Sequence, residues 1–140
     1  MEGKRPDRRV RRTRQLLHDA LRSLSVQKGY DHVTVQDVID RANVGRTTFY
    51  AHFRDKDDLL MSGVGEMREF LRRQLAAFAQ SQDVRSEEVR GFASALFDHA
   101  AGHRMEYRAL AGSRRGAAIL KCAHNEAVSL IREYLDEAAT

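Results

Sequence analysis

Between Gly45 and Phe53 the sequence places an arginine, two threonines, a tyrosine and a histidine. On a short helix such side chains can address nucleic acid. Arginine donates to guanine through two parallel bonds, and threonine joins a hydroxyl to a methyl that suits thymine. Arg46, Thr47 and Thr48 therefore suit base edges. Tyr50 and His52 suit phosphate oxygens, which position a protein without reading sequence. Phe49 and Phe53 lie four apart and should turn inward, anchoring so polar a helix. The competing reading is an ordinary helical hairpin with a decorated surface.

Other residues carry weaker chemistry. His99, His103 and Glu106 fall at i, i+4 and i+7, a spacing that could ligate a metal. Histidines satisfied by the core or beside an acidic neighbour explain the same pattern and carry more weight. Cys122 reads as a small buried hydrophobe rather than a reactive thiol. Gly63-Val64-Gly65 lacks the Gly-Lys-Ser/Thr that a phosphate loop requires. No Ser/His/Asp or Cys/His grouping stands out, so an enzyme is not expected and no cofactor is required.

The elements that must hold these residues are helical throughout. Val10, Thr13, Leu17, Ala20, Leu21 and Leu24 recur at three- and four-residue steps, and Gly29 is a plausible stop. Thr34-x-x-Asp37 resembles a capping box that opens a second, short helix striped by Val35, Val38, Ile39 and Ala42. A break at Asn43-Val44-Gly45 precedes the polar helix. Asn43 is among the few non-glycine types that accept the left-handed backbone a tight turn needs, and Val44 can reach back to the core. Two short helices so joined describe a helix-turn-helix.

Asp55, followed by Asp57 and Asp58, starts a long helix striped from Leu59 to Phe78. Ser81 to Val84 reads as a polar turn. Ser86 caps a further helix that Gly102 interrupts before Met105, Tyr107 and Leu110. Gly112 to Gly116 reads as a loop, and Ile119 to Tyr134 as the last helix. The fold class expected is all-α.

Composition narrows the setting. The longest apolar run, Leu75 to Ala79, is far shorter than the ~20 residues of a membrane span. A single cysteine excludes an internal disulfide framework, and with no signal-peptide pattern the expected location is the cytoplasm. Charge is unevenly placed. Residues 1–54 hold 12 Lys/Arg against 6 Asp/Glu, and seven of those basic residues lie between Lys4 and Arg14. Such an arm attracts polyanions, although a solvated, disordered tail would have the same composition.

Residues 13–60 resemble the DNA-binding domain of the TetR family of transcriptional repressors. The resemblance rests on Gly29-Tyr30, Thr34-Val35, Ala42-Asn43-Val44-Gly45, Phe49-Tyr50-x-His52-Phe53 and Lys56-x-x-Leu59. That family often has Gly where Asn43 stands and Ser where Gly45 stands, and both replacements suit the same backbone roles. The resemblance implies that Arg46, Thr47 and Thr48 contact bases and that Tyr50, His52 and Lys56 contact phosphate. It implies a backbone contact for Thr34 as well. Residues 59–140 resemble, less specifically, part of the family's ligand-binding core. The two further C-terminal helices of its four-helix dimer interface are not matched.

The expected protein is thus a ligand-released repressor. A basic arm and helix-turn-helix domain occupies residues 1–54, and a helical ligand-binding core occupies residues 55–140. Its expected partners are an operator in double-stranded DNA, a small apolar ligand and a second copy in a homodimer, with no membrane. If the chain ends at Thr140, the dimer would use other surfaces, with Leu130, Ile131 and Tyr134 of the last helix the first choice; the alternative is that the 140 residues are part of a longer chain. Met61, Met67, Phe70, Phe92, Phe97, Met105 and Tyr107 fall on three successive segments and are expected to line the pocket. A planar or lipophilic ligand suits that lining better than a sugar or phosphate. Two alternatives remain open: a general polyanion binder acting through the arm, and a small-molecule-binding helical protein without a specific operator.

Lys56 also sits in the first turn of a helix already rich in aspartate, where the dipole disfavours a cation. An outside anion would account for it.

Overall fold

Gly29 and Asn43 are the described residues with positive φ, and each ends a helix. Their placement divides the N-terminal region into its elements. The computed structural model describes the backbone of residues 4–80 and 86–139, and the side chains of residues 8–77 and 94–137. Within these limits the chain is all-α. The helices are α1 (Lys4–Lys28), α2 (Val35–Ala42), α3 (Arg46–His52), α4 (Lys56–Gln80), α5 (Ser86–Gly102), α6 (Arg104–Ala111) and α7 (Arg114–Ala139). A single 3₁₀ turn, Tyr30–His32, joins α1 to α2. None of the described helices is long and apolar enough to cross a membrane.

Helix α1 begins earlier than its apolar stripe. The basic stretch expected as an arm is its first half, because lysine and arginine are good helix formers. Pro6 stands in the first turn, where no amide hydrogen is needed. The chain then turns at Gly29, whose φ of 84° a side chain would resist.

Helix α2 opens on the expected capping box. The Asp37 amide donates to Thr34 Oγ1 at 3.1 Å, and the Thr34 amide donates to Asp37 Oδ2 at 3.0 Å. Its other end is a Schellman turn. Asn43 takes φ 55° and ψ 47°, its amide donates to the Asp40 carbonyl, and the Val44 amide donates to the Ile39 carbonyl at 3.0 Å. Val44 thereby packs back onto the core. At the start of α4, the Asp58 amide donates to Asp55 Oδ1 at 2.8 Å, the N-cap that the acidic cluster suggested.

One apolar cluster holds these short elements. Leu17 and Leu21 of α1, Val38 of α2, Phe49 of α3 and Phe53 just after it are all buried in it. Burying each such side chain contributes roughly 1.5–3 kcal/mol, which a helix as short as α3 cannot obtain from its own hydrogen bonds. The cluster does not stop at residue 54: Leu59 of α4 and Leu110 of α6 belong to it. A second, smaller cluster joins α4 to α7 through Leu71, Leu75 and Leu130, with Ile131 and Tyr134 packed against it. The three residues expected to form a dimer surface therefore face inward, because the stripe of α7 meets α4. On α7 it is Val128 and Leu135 that stand exposed.

The stretch expected as a loop from Gly112 to Gly116 is shorter than that. Ser113 is the cap of α7: its Oγ accepts from the Gly116 amide at 3.1 Å and donates to Asp31 Oδ1 at 2.6 Å. Gly116 allows α6 and α7 to meet, since a Cβ there would lie 2.6 Å from the Leu110 carbonyl oxygen. Nearby, the buried Tyr30 hydroxyl donates to Asp57, which also accepts from Arg115 Nη1 at 2.7 Å. These bonds tie the turn after α1 to the first turns of α4 and α7. Burial first, and then the hydrogen bond to Asp57, push the Tyr30 phenol well above its usual range. It therefore stays a donor. The polar turn expected over Ser81 to Val84 lies outside the described residues.

Candidate nucleic-acid interface and core cavity

Helix α3 turns Phe49 inward, and Phe53 at its C-cap likewise points inward, while Arg46, Thr47, Thr48 and Tyr50 face outward. Phe49 is fully buried and Phe53 nearly so, with their ring centroids 5.9 Å apart. Arg46, Thr47 and Thr48 are exposed, clustered at the N-terminal end as base-reading groups must be. Tyr50 is about half exposed, 49%, with its ring edge-on to Phe49. His52 is half-buried beside Phe53. Thr34 lies exposed at the start of α2. Its oxygen accepts the capping bond, which leaves its hydroxyl hydrogen free to donate to a phosphate.

Two features of this face were not evident in the sequence. The Arg46 guanidinium donates to Gln36 Oε1, so α2 contributes an exposed amide beside the first base-reading candidate. A polar residue in the first turn of α2 was the available signal. Lys56 is also tethered from within. Its Nζ donates to the Tyr30 carbonyl at 2.5 Å and lies 4.4 Å from the Tyr30 ring centroid. The charge in the first turn of α4 thus has an internal explanation, which corrects the argument that it needs an outside anion. An ammonium has three hydrogens, so a phosphate contact remains compatible. Burial lowers the Lys56 pKa, opposed by the neighbouring Asp57 and Asp31 carboxylates.

Arg8, Arg9, Arg11 and Arg12 stand exposed on the first half of α1. Arg14 instead turns inward. It donates to Ser62 Oγ at 2.6 Å and lies 5.0 Å from the Phe53 ring centroid, bracing α1 against α3 and α4.

Behind this face lies a cavity of about 310 Å³, bounded by α1, α4, the α5–α6 corner and α7. Met67, Phe70 and Tyr107 line it as expected positions. Met61, Phe97 and Met105 do not; all three are exposed, Phe97 by 76%. Phe92 lies outside the residues whose side chains are described. The lining that sequence reasoning missed is polar: His18 and Arg22 of α1, with His99, His103 and Glu106 from the α5–α6 corner. A histidine next to Leu17 on the apolar stripe of α1 was the signal for the first of these.

The histidines weighed as metal ligands are held by other groups. His99 and His103 have ring centroids 4.6 Å apart, and His99 stacks on Phe70 with centroids 6.0 Å apart. Tyr107 Oη lies 3.3 Å from His99 Nε2, and Arg22 Nη1 lies 3.3 Å from His103 Nε2. A guanidinium only donates, so His103 Nε2 accepts and its proton sits on Nδ1. That Nδ1 is buried and has no partner among the described residues. No group of three metal-ligating side chains comes together among them.

Burial lowers the His99 pKa, and the neighbouring His103 and Arg22 lower it further. Burial likewise lowers that of His18, against the pull of Glu66 3.7 Å away. The Tyr107 phenol is pushed up by burial and then by the Glu106 carboxylate.

His18 connects cavity and reading face. Its ring lines the cavity, packs edge-on to Phe53 at 6.1 Å, and would lie 3.5 Å from a Cβ on Gly63. A molecule that displaced it would press on the anchor of α3.

Residues 17–62 match the family model described as "Bacterial regulatory proteins, tetR family". An HTH-type transcriptional regulator of Bacillus subtilis, YxbF, is 40% identical over 60 residues, which are 42% of this chain and 16% of that protein. Another, from Haemophilus influenzae, is 24% identical over 99% of this chain and 67% of its own length. The chain thus spans a sixth of the first relative and about two thirds of the second.

Among solved structures, a putative TetR-family regulator from Syntrophomonas wolfei superposes with a TM-score of 0.73, at 18% identity over 89% of this chain and 67% of that one. One from Marinobacter aquaeolei gives 0.66, also at 18%, over 94% and 70%. Residues 17–62 thus match the N-terminal helix-turn-helix model of the tetR family of bacterial regulatory proteins, and the chain shares the all-α fold of those structures.

Proposed function

We propose that the protein is a sequence-specific DNA-binding repressor of transcription, working as a homodimer and released from its operator by a small molecule. The observation that carries this reading is the build of α3. Two buried phenylalanines hold seven residues in place, and Arg46, Thr47 and Thr48 are left facing outward. Burial of Phe49 and Phe53 stabilises a helix that otherwise has little reason to exist.

In this reading Thr34, Tyr50, His52 and Lys56 hold phosphates while the arginine and two threonines read bases. Residues 1–54 carry the reading and residues 55–140 the sensing, with no catalytic step and no cofactor. A second copy supplies the second half-site, because one helix-turn-helix covers too few base pairs to be selective. Release follows from the position of the cavity. Its walls include α1 and α4, and His18 touches both its interior and Phe53. Ligand and operator then oppose one another through one coupling free energy.

The test begins with selection of bound sequences from random duplex DNA, followed by salt titrations on the selected operator and on scrambled DNA. Thr48→Ala should cost roughly 1–3 kcal/mol on the operator alone, with the salt slope intact. Lys56→Ala should weaken both DNAs alike and lower the slope by about one per half-site. Loss of its bond to the Tyr30 carbonyl changes stability but leaves that slope alone, so the two roles separate. Equal losses on both DNAs for Thr48→Ala would sink base reading and favour a general polyanion binder.

A further inference from the structure

Among the described residues, the cavity wall holds a negative charge without a counter-ion. Three side chains that carry charge line it: Arg22, Glu66 and Glu106. Arg22 is engaged, donating through Nη2 to Asp19 and lying 3.3 Å from His103 Nε2 through Nη1. Glu66 also faces a neighbouring groove lined by Arg11, Arg14 and Arg73, so its charge is shared with that side. Glu106 has neither a hydrogen bond nor an ion pair among the described residues, and it is only partly exposed. The same lining includes aromatic side chains: Phe70 with His99 stacked on it, and Tyr107. Burial lowers the pKa of His18 and of His99, which disfavours a positive charge on either ring.

A carboxylate without a partner beside aromatic faces is complementary to a cation with an apolar body. The carboxylate gains its missing counter-ion, and the ring quadrupoles attract the same charge. An anion would meet Glu106 directly, with the one guanidinium already held by Asp19. A neutral lipophile would fill the space and leave the carboxylate more deeply desolvated, at a cost.

We propose that the cavity binds a small lipophilic monocation, an aryl- or alkylamine or quaternary ammonium compound, with Glu106 as its counter-ion and Phe70 and Tyr107 as its aromatic walls. The proposal rests on the cavity being the effector site in the function proposed above, and its test keeps the two apart.

The probes are benzyltrimethylammonium, its uncharged isostere neopentylbenzene, and the anion hydrocinnamate. Calorimetric titration of the whole chain without DNA measures binding alone. The expected order places the cation first. Glu106→Gln keeps the shape and removes the charge. It should weaken the cation about tenfold or more while leaving the neutral isostere unchanged. The variant should melt with the parent protein, because the carboxylate has no described partner to lose.

Preference for hydrocinnamate, an unaltered cation affinity in Glu106→Gln, or no binding by any of the three overturns the proposal. A second measurement then adds the cation to the protein–operator complex. Binding without release leaves the site standing and refutes its role as effector; release by a compound that does not need Glu106 does the reverse.

Discussion

The two ends of α4 lie in different kinds of interior. Near its start, Leu59 joins a cluster of thirteen buried side chains drawn from five helices and the 3₁₀ turn. Farther along, Leu71 and Leu75 share a cluster with one other buried residue, Leu130, among the described residues. Between the two lies the cavity. Dense packing holds the polar helix α3 in place, as the proposed base reading needs, since close-packed interiors resist displacement. The looser region has space for another molecule and can yield to it. One long helix therefore spans a part that must not move and a part that can.

The largest test of that contrast is truncation in each interior. Phe49→Ala opens a hole within the larger buried cluster, and should cost about 3–5 kcal/mol. Leu130→Ala, in the small cluster, should fall at the lower end of the leucine range, about 2–3 kcal/mol, because the surroundings can collapse. Urea unfolding of both variants measures the difference. A larger loss for Leu130→Ala would reverse the assignment of rigid and yielding regions.

A middle-sized effect is expected where the two regions are joined. The Gly116 Cα faces the Leu110 carbonyl so closely that a methyl would lie 2.6 Å from its oxygen. The obstacle is backbone, which cannot rotate aside as a side chain does. Gly116→Ala should therefore push α7 from α6 and cost about 1–3 kcal/mol, although alanine is the better helix former. Thermal unfolding checks the sign: a stabilised variant would mean that α6 and α7 separate easily.

The same contrast explains what was legible in the sequence. Around the turn, the signals were local and agreed with one another: the capping box at Thr34 and Asp37, left-handed Asn43, and Phe49 with Phe53 one turn apart. Each depends on neighbours within a few residues, so no tertiary knowledge was needed. The cavity depends on helices far apart in the chain, and its wall breaks the rule that apolar residues face inward. His99, His103, Glu106 and Tyr107 turn toward it while Phe97 and Met105 face outward. Apolar periodicity had placed Phe97 and Met105 on the cavity wall along with Tyr107, and of these three Tyr107 alone lines it. Charge placement misled in a similar way at Lys4 to Arg14, where composition alone does not distinguish an arm from a helix carried forward by its lysines and arginines.

The smallest effect is expected at the turn itself, and it sharpens what rigidity means there. Asn43 sits at φ 55° and ψ 47°, and its amide closes α2 on the Asp40 carbonyl. Glycine adopts that conformation without strain, so Asn43→Gly should leave the folded turn intact. Its only cost is the greater freedom of the unfolded chain, and the net change should stay within about half a kcal/mol. Asn43→Ala places a residue with no local polar compensation in the left-handed region and should cost about 1–2 kcal/mol. Comparing the two by urea unfolding separates backbone geometry from side-chain chemistry. If geometry alone matters, Asn43→Gly also keeps operator affinity and α3 stays where Val44 and Phe49 hold it. A loss of operator binding by Asn43→Gly without a loss of stability would give the asparagine side chain a part in the interface with DNA.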